Sequence, residues 1–197
     1  MKQLIKYLSL LLFVSQRAYP YDFEIGGIYY GYNANNQTAY VTKDYTKEQS
    51  YVGSVIIPQT VTYNGRTLDV AEIGENAFSN CKDLYNVSLP NSIKIIGPSA
   101  FKGCEGIVSI SLPSSIKSMS YAAFSGCTGM KTIELPNTIE KIEGELFSDC
   151  SSLEKISIPN GIRDIGAYAF HNCISLKSVR IPSSVTAIRR HAFYNCI

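Results

Sequence analysis

The sequence predicts a β-rich solenoid: a right-handed stack of 23-residue rungs, each made of short strands plus one helical turn, with an N-terminal β-hairpin cap. Three observations carry this. A cluster Ala-Phe-x-x-Cys, clearest at Ala100-Phe101-Lys102-Gly103-Cys104, returns so that Phe78, Phe101, Phe124, Phe147, Phe170 and Phe193 lie 23 residues apart. All six cysteines, Cys81, Cys104, Cys127, Cys150, Cys173 and Cys196, keep the same step. Five aliphatic-proline pairs, ending in Pro90, Pro113, Pro136, Pro159 and Pro182, keep it too. A fixed period that survives several intervals marks a stacked repeat, in which each unit buries its apolar face only against its neighbours.

The chain begins with a stretch that reads as a secretory signal over residues 1–18. Lys2 and Lys6 supply a positive start and Tyr7 to Val14 a short apolar run. That run is too short to span a bilayer, which needs about 20 apolar residues, so no transmembrane segment is expected. Lys2, Lys6 and Arg17 are three of the 18 basic residues; without them 15 bases face 16 acids. That balance argues against a generic nucleic-acid or anionic-membrane surface.

Residues 19–50 form the expected Tyr-rich β cap. Phe23 to Tyr32 reads as one strand, Asn33 to Asn36 as a turn, and Thr38 to Thr42 as a returning strand. The end of a solenoid exposes apolar core and unpaired backbone, which such a hairpin would cover; an aromatic binding surface is the competing reading. Residues 51–197 form six rungs. The first is imperfect, with extra residues around Tyr63-Asn64-Gly65-Arg66, where Asn-Gly between β-formers signals a two-residue hairpin. The others run 84–106, 107–129, 130–152, 153–175 and 176–197.

Within the rung 84–106, Val87-x-Leu89 has the period of a half-buried strand. Pro90, lacking an N–H and fixing φ, ends that strand and opens a turn. Ile93 and Ile96 bracket a second short extended segment. The residue before each cysteine is Asn80, Gly103, Gly126, Asp149, Asn172 or Asn195. Those residue types tolerate positive φ, which predicts a left-handed residue closing one helical turn per rung.

The pattern L-x-x-V-x-L-P-x-x-I-x-x-I-x-x-x-A-F-x-x-C resembles the BspA-type leucine-rich repeat of bacterial surface proteins and some parasitic protists. The resemblance covers residues 51–197, and Tyr21-Asp22-Phe23 with Gly27-Ile28-Tyr29-Tyr30 is similar to the N-terminal region of bacterial members. Departures are Leu146 in place of Ala, and Gly106-Ile107 and Gly129-Met130 at the Leu entry. The resemblance implies a leucine-rich-repeat-like fold in an exported, non-catalytic protein at the cell surface or secreted, without cofactor, in a family linked to adhesion to host matrix proteins and other cells.

The residues themselves point the same way. One cysteine per rung in a single column reads as a buried spine of thiols packing like small hydrophobes, rather than as disulfides or a metal site, which needs clustered ligands. His171 and His191 fall in different columns of adjacent corners and read as exposed, with no nucleophile placed beside them. No phosphate loop, nucleophile elbow or metallopeptidase motif occurs, so an enzyme is not expected.

The candidate partner-binding face is the pair of outward columns flanking Val87. One column is Asn86, Ser109, Thr132, Lys155 and Ser178; the other is Ser88, Ser111, Glu134, Ser157 and Arg180. Together they predict one flat sheet face for an extracellular protein or glycan, with a plain solvated face as the alternative. Charge drifts from acidic (Glu134, Glu140, Glu143, Glu145, Asp149) to basic (Arg180, Arg189, Arg190), which solvated faces explain. With Ile197 directly after Cys196 and no polar cap, the sequence suggests a fragment of a longer protein or end-on self-association through the last rung. A structural spacer within a larger surface protein is the second functional reading.

Overall fold

The computed structural model describes residues 21–196, so the leader expected over residues 1–18 lies outside them. The chain begins as a meander of β1 (Phe23–Ile25), β2 (Ile28–Asn33) and β3 (Thr38–Thr42), each antiparallel to the last. The single strand expected over Phe23 to Tyr32 is therefore two. Gly26 and Gly27 sit at φ 60° and 78°, a two-residue turn that only glycine adopts without strain.

Two strands follow that carry the chain into the repeats. β4 (Gly53–Ile56) opens the first rung. β5 (Thr60–Tyr63) and β6 (Arg66–Ile73) form the Asn64-Gly65 hairpin, with both turn residues at positive φ. β3 pairs in parallel with β6, so the N-terminal meander is continuous with the solenoid's own sheet.

From there the rungs contribute short parallel strands on two faces, except that 107–129 and 176–197 contribute a strand only to the second. On the first face β4 pairs with β7 (Leu84–Ser88). On the second, β6 pairs with β8 (Ile95–Ile96), and β8 with β9 (Ser118–Met119). The first face resumes with β10 (Thr132–Glu134) against β12 (Lys155–Ser157), where Thr132 lies opposite Lys155 and Ile133 opposite Ile156. The second resumes with β11 (Lys141–Ile142), β13 (Asp164–Ile165) and β14 (Ala187–Ile188). Each proline turn between the faces is closed by a hydrogen bond from the residue three further on to the proline carbonyl, as from Ile93 to Pro90 at 3.2 Å.

The third side is the corner, and there the expected helical turn is absent: no helix is present among the described residues. Two left-handed residues per corner replace it. The column before cysteine behaves as its composition suggests, from Asn172 at φ 59° to Gly126 at φ 72°. A second column four residues earlier, Asn76, Ser99, Ala122, Glu145, Tyr168 and His191, also has positive φ, between 51° and 59°. A left-handed residue every fourth position turns successive N–H groups to opposite sides, so a helix cannot propagate.

What results is a second kind of ladder. The N–H groups of Asn76, Phe78 and Asn80 donate to the next rung's Pro98, Ala100 and Lys102 carbonyls at 3.0, 2.7 and 2.7 Å. The interleaved N–H groups of Ala77, Ser79 and Cys81 bond within the corner. The same trio crosses every interface up to Tyr168, Phe170 and Asn172 bonding to Arg190, Ala192 and Tyr194.

The core lies inside this stack. Six phenylalanines form one column, with ring centroids 5.0, 5.2, 5.7, 5.5 and 5.0 Å apart and planes within 16° of parallel. Tyr51 continues the column beyond Phe78 at 4.6 Å, and its hydroxyl donates to the Thr42 carbonyl. Phe78 to Phe170 are fully buried, while Phe193 in the last rung is half-buried. Gly129 belongs to the same close packing, since a Cβ there would overlap the Glu105 carbonyl oxygen of the previous rung.

Candidate functional site

The thiol column is structural. Cys81 to Cys173 are free and buried. Each thiol from Cys104 to Cys196 lies 3.0 to 3.1 Å from the phenylalanine carbonyl of the previous rung, as Cys104 Sγ does from Phe78 O. That carbonyl also accepts the cysteine N–H of its own rung. Cysteine suits the position because it packs as an apolar group yet keeps a weak donor. Burial pushes these thiols up, Cys150 to about 12, so the reactive thiolate is suppressed. Among the described residues no group of three or more His, Cys, Asp or Glu is placed to hold a metal ion. Nor is any helix there long and apolar enough to cross a membrane.

All ten residues of the candidate binding face, Asn86, Ser88, Ser109, Ser111, Thr132, Glu134, Lys155, Ser157, Ser178 and Arg180, have exposed side chains. They do not share one continuous sheet. Asn86 and Ser88 lie on β7, Thr132 and Glu134 on β10, and Lys155 and Ser157 on β12. Ser109, Ser111, Ser178 and Arg180 lie on segments that pair with no strand.

Ring spacing does not decide where the first-face ladder opens: β10 and β12 pair although their rungs' rings lie 5.5 Å apart, whereas past β12 the rings lie 5.0 Å apart and no strand pairs. Beyond β12 the face carries two open grooves of about 810 and 840 Å³ that meet at Ile156 and Arg180. Lys155, Lys177 and Ser178 line the first; Ser157, Asn160 and Ser183 line the second. The edge of β12 away from β10 has no strand partner.

The structure also gathers residues that the sequence left apart. His171 and His191 form a four-ring cluster with Tyr168 and Tyr194, with centroid distances of 5.3 to 5.5 Å. His171 is half-buried and His191 exposed. Tyr168 precedes His191 by one 23-residue step and His171 precedes Tyr194 by another, which was the available signal.

Comparison with known proteins agrees with this architecture. Residues 71–197 match six copies of the BspA type leucine rich repeat region. A leucine rich cell surface protein from Faecalibacterium prausnitzii A2-165 is 31% identical over 89% of this chain and 46% of its own, with a TM-score of 0.76. A leucine-rich repeat protein from Bacteroides ovatus is 30% identical over 88% of this chain and 51% of its own, with a TM-score of 0.68. The T. pallidum leucine rich repeat protein is 28% identical over 85% of this chain and 81% of its own, with a TM-score of 0.70. The chain thus spans about half the length of the F. prausnitzii and B. ovatus proteins. No curated protein shows a significant match. With a repeat-family match over well over half its length, a ladder of short parallel strands and a Phe/Cys corner buried in every rung but the last, the chain belongs to the BspA-type leucine-rich repeat family.

Proposed function

We propose that this chain is an exported, cell-surface recognition scaffold that holds an extended segment of an extracellular protein against its first strand face, in the service of adhesion. One observation carries the reading: past β12 the regular ladder stops, and two open grooves run between β12 and the unpaired segment of the next rung, with Arg180 on both. Open grooves on a strand face can hold an extended segment, with their lining side chains choosing among its residues. In the first groove Lys155, Lys177 and Arg180 outnumber the one acid, Glu154, and so favour an acidic segment there. The F. prausnitzii relative, described as a cell surface protein, supports the location. A glycan partner at this face is the less favoured form, since the grooves lack stacked aromatic rings.

The test is binding of the purified chain to immobilised matrix proteins. Filling the groove with Ser157→Trp, or reversing its charge with Arg180→Glu, should weaken capture by about 10-fold or more, the equivalent of one good charged contact. Silence against every matrix protein, or capture unchanged in both variants, overturns the reading. A second reading, a spacer within a larger surface protein, is favoured by the share of its relatives that the chain spans.

A further inference from the structure

We infer that the corner of the last two rungs is a separate binding site for an acidic saccharide unit, a pyranose ring bearing a carboxylate. Tyr168, His171, His191 and Tyr194 alternate around a square. Tyr168 contacts His171 at 5.5 Å and His191 at 5.3 Å, and Tyr194 contacts the same two at 5.5 and 5.3 Å. The four rings alone line an open concavity of about 220 Å³. In earlier corners the same two columns hold Asn76, Ser99, Ala122 and Glu145, then Ser79, Lys102, Ser125 and Ser148. No ring occupies those positions, so the cluster is a local addition that the repeat itself does not require.

The surroundings set the ligand's charge. From Ile165 to the end of the sequence there is no Asp or Glu, while Lys177, Arg180, Arg189 and Arg190 all occur. Arg189 is engaged by Asp164, which accepts from its Nε at 3.0 Å and its Nη2 at 2.9 Å. Arg190 instead lies over the Tyr168 ring, 5.9 Å from the centroid, and has no carboxylate partner among the described residues. The nearest acids of the preceding corner, Glu145 and Asp149, lie one rung back, and Asp149 is held by Asn172, whose Nδ2 donates to it at 2.7 Å.

Flat faces edged with phenol and imidazole groups suit a ring that is apolar on its face and hydroxylated at its rim. A free guanidinium beside them is matched by a carboxylate, which it can bind through two parallel hydrogen bonds. A cationic ligand would meet Arg190 head-on. A structural transition metal would need more protein ligands than two imidazoles provide.

The experiment is calorimetric titration of the whole chain with a glucuronate-containing oligosaccharide and its carboxyl-reduced counterpart, in the presence of EDTA. The acid form should bind, and the reduced form at least about 10-fold more weakly, as loss of a charged hydrogen bond predicts. Arg190→Gln should cost a similar factor with the acid form, as should Tyr194→Ala. Tyr194→Phe should keep most of the affinity. Tyr194 is 58% exposed, so its truncation leaves the core intact. Ser157→Trp, in the strand-face groove, should leave saccharide affinity unchanged, which separates this site from the one proposed above. No binding of the acid form, equal binding of both forms, dependence on a metal that EDTA removes, or indifference to both Arg190→Gln and Tyr194→Ala would overturn the inference.

Discussion

The corner of each rung and its first strand face come from the same 23-residue unit, yet one closes without a gap and the other is repeatedly open. At the corner, three backbone hydrogen bonds, one stacked ring and one thiol contact cross the interface between successive full rungs. On the strand face, β7 and β10 are separated by a segment, 107–111, that joins no strand. The outward side chains there are all exposed. The lesson is a division of labour: the corner supplies cohesion, which frees the strand face to vary.

The sharpest way to break the corner is alkali. Cys104, Cys127, Cys150 and Cys173 are neutral and held above their usual range by burial, as are Tyr30, pushed up to about 12, and Tyr51. The unfolded chain gives up the same protons near pH 8.5 for thiols and pH 10 for phenols, by roughly the reference values. Stability contributed by these groups is therefore complete below about pH 8.5 and is lost as pH rises towards 12. Each group costs about 1.4 kcal/mol per pH unit once the unfolded chain is ionised. Circular dichroism should show a flat urea midpoint to about pH 8.5, then a steep fall. A midpoint that stays level to pH 11 would show the thiols to be accessible, and would remove the corner's claim to be the dry side.

A smaller break is a single ring. Phe124 is fully buried between Phe101 and Phe147, and Phe124→Ala should cost about 3–5 kcal/mol. Ser111→Ala on the open face should stay within about 0.5 kcal/mol. Urea denaturation of the two variants measures the contrast directly. Comparable losses would mean that the strand face carries as much of the fold as the corner.

How much of this was legible follows from which residues announce their conformation. The column before cysteine holds only Gly, Asn and Asp, so its left-handed backbone could be read from composition. The column of Asn76, Ser99, Ala122, Glu145, Tyr168 and His191 shares no chemistry. Its positive φ is imposed by hydrogen bonds to the next rung, such as Ser99 N–H to the Tyr121 carbonyl at 3.0 Å. Missing that column turned an alternating corner into an expected helical turn. Gly26-Gly27 carried a hairpin signal that the alternation around it masked. The side chains of the candidate columns face outward, but which of their segments join the strand ladder depends on pairing between rungs, which no local pattern reports. The Tyr/His square was hidden for a similar reason: its members sit in two columns and two rungs, and only the stack makes them neighbours.

Leu146 offers the finest test of how closely neighbouring rungs can settle. It stands where the other rungs have Ala77, Ala100, Ala123, Ala169 and Ala192, and it is fully buried. The two interfaces beside it have the widest ring spacings, 5.7 and 5.5 Å. At the wider one the second-face ladder also breaks, between β9 and β11, leaving a cleft of about 290 Å³ lined by Met119 and Lys141. A leucine wedged where alanine fits elsewhere accounts for all three facts. If so, Leu146→Ala lets the rungs settle rather than leaving a cavity. Its cost should then fall below about 2 kcal/mol, the lower bound for an ordinary buried leucine. Amide exchange at Glu140 and Glu143 should slow as β11 comes within reach of β9, just as Lys117 and Ser120 already bond to Lys94 and Ile96. A cost of several kcal/mol with unchanged exchange would make Leu146 a plain core residue, and would leave the break between β9 and β11 to be explained by the strand residues themselves.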